Sequence, residues 1–267
     1  MRALIRADLR NRWRSLAALA GGCFVLLIAL SGTYSAYGGA AGFANTFGAG
    51  RTPKLFSAFS GSSTGDVFTP PHFLAFGFGH PLFLVLALSV AITSGVAAIA
   101  TDVETGRSEL IFTAPVRPTQ VLGARIAEWA LAELGVITVA LVGALIGMQL
   151  SSDLSQVSAA VPLRASVQFI SLAFFVAGVA FAASAHARSR GAAFGATVGV
   201  TAGSYVVNLV GLLWSPLSFV RWINPFGYYA PIDAAQRLQW GNEAALLAAG
   251  TLLFGLAARR VGRRDLA

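Results

Sequence analysis

The stretch LAALAGGCFVLLIALSGTYSAY, residues 16–37, decides the fold: it holds no charge and sits inside a longer uncharged window between Arg14 and Arg51. A charge at the bilayer centre is costly, and a helix needs about twenty apolar residues to cross the hydrocarbon, so such a run reads as a membrane span. Five more follow, at about 73–100, 121–150, 165–187, 191–214 and 240–258. The third carries Arg125, Glu128 and Glu133 in its opening turns, which moves the start of its hydrocarbon section to near Leu134. The sixth is short, since Ala244 to Ala258 rises only about 22 Å. It crosses either by extension through Leu238–Asn242, with Glu243 held at the outer interface, or by meeting a preceding segment that dips into the membrane.

Charge fixes the orientation. With the amino terminus in the cytoplasm, fourteen of the nineteen cations fall inside, in clusters around Arg2–Arg14, Arg107–Arg125, Arg188–Arg190 and Arg259–Arg264. Arg51, Lys54, Arg164, Arg221 and Arg237 remain outside. Both termini are Arg-rich, which an even number of spans satisfies and an odd number cannot. The expectation is an all-α membrane protein forming a single transmembrane domain over 1–267, with six transmembrane helices and both ends cytoplasmic. Its expected location is multi-pass, in the plasma (inner) membrane of a bacterium or archaeon.

Composition agrees, because 56% hydrophobic residues, 11% charged residues and 29 glycines suit helices that approach closely through small side chains. The net charge of +8 lies in flanks of spans and not on one face, which favours anionic lipid headgroups over nucleic acid as partner. The single cysteine, Cys23, lies mid-span and has no partner for a disulfide within the chain. The first apolar run ends without a small-residue cleavage pattern, so the first span is expected to be retained.

Three segments between or before the spans carry more information. In residues 1–15, Ile5, Leu9, Trp13 and Leu16 recur at helical spacing beside Arg2, Arg6, Arg10 and Arg14, as in a helix lying on the cytoplasmic headgroups, although Arg12 falls near the apolar arc. Residues 101–120 read TDVETGRSELIFTAPVRPTQ: Gly106 allows a turn, Ser108 to Thr113 form a short amphipathic stretch, and Pro115 and Pro118 stop it. Residues 215–239 combine Pro216, Pro225 and Pro231 with Trp, Phe and Tyr, as a re-entrant or interfacial outer segment does. Residues 38–72 form the other long outer loop.

Together these features resemble the permease subunits of type-two ATP-binding-cassette (ABC-2) exporters along essentially the whole chain. The likeness rests on DLRNRW at 8–13, on Glu104, Gly106, Glu109, Leu110, Pro115 and Arg117 after the second span, on Asn224-Pro225-Phe226, and on Arg263-Arg264-Asp265-Leu266. Val116 departs from the small or hydroxylated residue that the family often has before the arginine. The resemblance implies an exporter half that pairs with a second copy or a sister permease and sits on a separate nucleotide-binding ATPase subunit. It further implies that 101–120 is the coupling helix, with Asp102, Glu104, Gly106, Glu109, Leu110, Pro115 and Arg117 at the ATPase contact. Arg6, Arg10 and Trp13 would belong to the elbow helix, and 215–239 would cap the pathway.

The residues support an external engine. A phosphate-cradling loop needs Gly-Lys followed by Ser or Thr, and the only lysine, Lys54, follows Pro53. The chain is therefore expected to bind no cofactor and to catalyse nothing, with ATP and Mg in the partner subunit.

Other candidates are weaker. Gly61-Ser62-Ser63-Thr64-Gly65 has the spacing of a hydrolase nucleophile but lies in a glycine-rich loop. His72, His80 and His186 have no Cys, Asp or Glu at ligand spacing, which argues against a metal site. His80, before Pro81, reads as a kink or pore-lining residue. Glu128 is expected to pair with Arg125 three residues earlier. Glu133 has no sequence-local partner, and Asn208 lies midway through the fifth span; both are intramembrane polar groups that either line a pathway or hold helices together. A self-contained secondary transporter or channel is the alternative, and it would carry paired ionisable groups at mid-membrane or inverted repeats.

Overall fold

The computed structural model describes residues 2–48, 53–59, 67–106 and 118–263. Among them every regular element is helical. In order these are α1 (Arg2–Ala36), α2 (Gly39–Phe47), α3 (Lys54–Phe59), α4 (Pro70–Gly79), α5 (Pro81–Ala97), α6 (Ala100–Glu104), α7 (Pro118–Met148), α8 (Ser152–Ser155), α9 (Ala160–His186), α10 (Arg190–Leu213), two 3-10 turns (Ser215–Ile223 and Pro225–Tyr228), α11 (Pro231–Gln236) and α12 (Trp240–Gly262). Among the described residues five helices are long and apolar enough to cross a membrane, and the pair α4–α5, bent by 45°, brings the number to six if it crosses as one span.

Proline and glycine account for most boundaries. Pro70, Pro81, Pro216, Pro225 and Pro231 each open an element, where the missing N–H is no loss. The break inside the second span falls at His80, whose backbone is extended (φ −61°, ψ 132°) and whose Nδ1 accepts a hydrogen bond from the Leu82 N–H at 3.3 Å. The expected kink is thus a complete interruption, because Pro81 cannot donate to the preceding turn.

Two features add to the sequence reading. Residues 2–15 are continuous with the first apolar run, α1 running unbroken through Ser15 for 35 residues, about 52 Å. No proline lies in that stretch to end the helix. The outer loop at 38–72 is also more than a connector. Gly38 and Gly39 turn the chain at φ 82° and 66°, and α2 then lays Phe43 against Phe68 and Phe73, with ring centroids 4.4 and 5.7 Å apart. Tyr34 joins them, 4.6 Å from Phe73, and its hydroxyl donates to the Phe68 carbonyl at 3.1 Å. Aromatic burial of this kind holds the loop onto the bundle. The Gly61–Gly65 motif lies outside the described residues.

At the centre stands α9, the most buried of the long helices, against α5, α7, α10 and α12. Its own Phe169, Leu172, Val176 and Phe181 are fully buried, as is Phe83 of α5. Small residues set the closest crossings: a Cβ at Gly143 would stand 2.8 Å from the Phe24 carbonyl oxygen of α1, and one at Gly178 would stand 3.0 Å from the Gly250 carbonyl oxygen of α12. Helix α10 lies at the edge, with Phe194, Val200, Val206 and Val207 exposed.

The proline-rich segment folds back on the bundle. Asn224 Nδ2 donates to the Ser204 carbonyl at 2.7 Å while its Oδ1 accepts from the Phe226 N–H at 2.9 Å. The Tyr229 hydroxyl donates to the Phe78 carbonyl at 2.8 Å, and Arg164 donates to the Ala235 carbonyl. Its outer side presents Phe219, Trp222 and Ile223.

Candidate functional site at the foot of the 101–120 segment

Helices α1, α5, α6 and α7 come together where the 101–120 segment leaves the bundle, and their junction is ionic. Arg12, on α1, donates to the Ser94 hydroxyl at 2.6 Å, the Thr93 hydroxyl at 2.8 Å and Glu128 Oε1 at 3.2 Å. One guanidinium therefore joins α1 to both α5 and α7. Arg125, on α7, pairs with Asp8 of α1 and lies 3.6 Å from Asp102 Oδ2 of α6. A planar fork with five donors is suited to such divided pairing.

This corrects the sequence reading of Glu128. The neighbour at i−3, Arg125, does not take it; Arg125 turns to Asp8 and Asp102, and Glu128 receives Arg12 from another helix. The position of Arg12 on the apolar arc of α1 was the readable signal, since that arc faces α5 and α7. Asp8, the one acid among the first basic residues, was the second. Thr93 and Ser94 gave no sequence signal.

Two further contacts fix the start of the segment. Ser184 of α9 accepts from the Ile99 and Ala100 N–H groups at 3.1 and 2.9 Å and donates to the Val96 carbonyl at 2.9 Å, satisfying the backbone between α5 and α6. Glu104 Oε2 accepts from the Arg190 N–H at 2.7 Å. A carboxylate at the first residue of α10 complements the helix dipole. Gly106 adopts φ 69°, the left-handed conformation that a turn glycine supplies at little cost. Glu109, Leu110, Pro115 and Arg117 lie outside the described residues, as do Arg107, Arg264 and Leu266.

On the first helix, Arg6, Arg10 and Trp13 are exposed, and the Arg14 guanidinium lies 5.6 Å from the Trp13 ring centre. Glu133, Asn208 and His80 stand on α7, on α10 and at the α4–α5 break respectively. Glu133 is buried in α7 and has a local partner after all, Trp129 Nε1 at 3.2 Å, four residues back; its Oε1 has none among the described residues. Asn208 is buried near Tyr205, Phe226 and Tyr229, with its Oδ1 unpartnered among the described residues. His80 stands at the break between α4 and α5.

Beside the ionic junction runs an apolar groove of about 330 Å³. Leu84, Leu88 and Ile92 of α5 form one wall, and Phe194, Val198 and Tyr205 of α10 the other. Thr93 belongs to both places: it lines the groove and accepts from Arg12. Space of this size and lining accepts an apolar or amphipathic molecule.

No curated protein and no solved structure matches the chain. A family model described as ABC-2 family transporter protein matches residues 2–266, nearly the whole sequence. The chain belongs to the ABC-2 transporter family and is a multi-pass membrane component of an ABC transporter.

Proposed function

We propose that this chain is the permease subunit of an ATP-driven exporter, moving an amphipathic, drug-like or lipid-like molecule out of the cytoplasm while a separate ATPase subunit binds ATP and Mg and supplies the work. Thr93 is the observation that carries the reading. A segment that received force from an ATPase would pass it through Asp102 to Arg125 and α1, and Arg12 on α1 holds the hydroxyl that lines the groove. Coupling of this kind needs a contiguous physical link between the driven element and the path.

Pairing with a second permease, identical or sister, draws support from α10. Gly191, Gly195, Gly199 and Gly203 stand four apart on that helix, and a Cβ at any of them would meet nothing within 4 Å. A stripe of this kind lets a partner helix approach closely in lipid. The membrane is read as the plasma membrane of a bacterium or archaeon, with 101–120 on its cytoplasmic side.

Purification of the tagged chain from its native membrane tests the assignment. An ATPase subunit is expected to accompany it, and Glu109→Arg is expected to lose that subunit and the transport it drives while inserting normally. Retention of the ATPase and transport by Glu109→Arg would refute the docking role, and solute movement by the purified chain alone would favour a self-contained transporter or channel. Glu104→Arg is a poorer probe, because Glu104 also serves α10.

A further inference from the structure

At the end of the bundle that carries the proline-rich segment, α9 and α12 enclose a cluster of buried polar side chains. Gln168 is fully buried, and neither its Nε2 nor its Oε1 is hydrogen-bonded among the described residues. Glu243 is 3% exposed, and neither of its carboxylate oxygens accepts a hydrogen bond of ordinary geometry among the described residues. The carboxylate faces Gln168 and Ser171 of α9. Ser171, itself buried, also lies 3.5 Å from the Val167 carbonyl, a long contact. From the segment before α12, Tyr229 faces the carboxylate, but its hydroxyl is committed to Phe78.

Among the described residues no cation forms an ion pair with Glu243, and the arginine that α9 contributes at this end, Arg164, is turned to the Ala235 carbonyl. A carboxylate in such surroundings is retained only if something neutralises it. Water fills hydrogen bonds and leaves the charge. Two carboxylate oxygens, an amide oxygen and a hydroxyl are instead the hard oxygen donors that a small cation selects.

We propose that Glu243, Gln168 and Ser171 form a binding site for a small monovalent cation, a sodium ion or a proton, which neutralises the carboxylate and fastens α12 to α9. Either occupant brings one positive charge, and the two compete for one carboxylate. The site is independent of the ATPase reading, because it involves neither the 101–120 segment nor the groove.

Thermal unfolding of the purified protein in nanodiscs, followed by tryptophan fluorescence, separates the cases. With choline as the only added cation at neutral pH, the melting temperature is expected to be lowest; sodium and a lower pH each raise it, and together they add less than their sum. Glu243→Gln, neutral and of the same shape, is expected to lose both responses. Gln168→Leu keeps the carboxylate and is expected to weaken sodium about tenfold, as the loss of one supporting ligand does. A sodium response without a proton response, each taken as the difference from Glu243→Gln, names sodium; the reverse names the proton. Wild-type protein that melts alike in all conditions, or a Glu243→Gln variant that responds as the wild type does, overturns the proposal. Should Glu243→Gln fail to insert, an unchanged sodium titration in both Gln168→Leu and Ser171→Ala would do the same.

Discussion

Arg12 and Glu128 do not depend on each other equally, and the difference can be measured. Arg12 has three acceptors and a side chain 26% exposed, so losing Glu128 leaves it the hydroxyls of Thr93 and Ser94 and a route to headgroup water. Glu128 has one cationic partner at 3.2 Å and a side chain only 4% exposed. Removing one member of a fully buried pair costs about 3–5 kcal/mol; the exposure of Arg12 lowers the figure for Arg12→Met to about 2–3 kcal/mol. Glu128→Gln retains shape and an acceptor, and is expected to cost about 1 kcal/mol. In the double variant no charge is left stranded, so its cost should fall below the sum of the singles by about 1–2 kcal/mol. Reversible unfolding in mixed micelles, read as a double-mutant cycle, supplies the three values. Additive costs, or Glu128→Gln as damaging as Arg12→Met, would refute the claim that the pair is a one-sided dependence.

Two more outcomes follow from contacts described above. Glu104→Ala should expose the first N–H of α10, cost about 1 kcal/mol locally, and speed hydrogen exchange at residues 190–193, an effect absent if the carboxylate merely faces solvent. On α7, Gly143→Ala should cost about 2 kcal/mol by pressing on Phe24, whereas Gly135→Ala, with nothing within 4 Å of its Cβ, should change stability by less than about 1 kcal/mol. Equal effects of the two on unfolding would remove the close crossing of α1 and α7.

Span positions were legible because a single rule, exclusion of charge from hydrocarbon, acts residue by residue along the chain. Helix ends were less so: the helix that holds the fourth apolar run begins at Ala160, five residues before the run, and includes Arg164, which reaches Ala235. The charged junction was legible only as a set of candidates. Arg12 lies 82 residues from Ser94 and 116 from Glu128, and Asp8 lies 117 from Arg125, so the choice of partner is made by helix packing and has no counterpart in local spacing. Local spacing offers Arg125 to Glu128 and no cation to Glu133, which is served four residues back by the indole N–H of Trp129. The folded part of the 38–72 loop escaped notice for a related reason: its glycines suggested freedom, while its phenylalanines, spread from 43 to 73, meet only in three dimensions.

The interruption at His80–Pro81 has a mechanical meaning. An unbroken helix twisted at one end turns at the other, because every turn is bonded to the next. The second span lacks those bonds at one level and changes direction there by 45°, so it behaves as two short rods sharing a joint. If α5 were turned from the ionic junction, as the proposed coupling requires, it could swing about that joint while α4 stayed bound through Phe78 to Tyr229 of the proline-rich segment. The two halves of the second apolar segment would then be free to change direction separately.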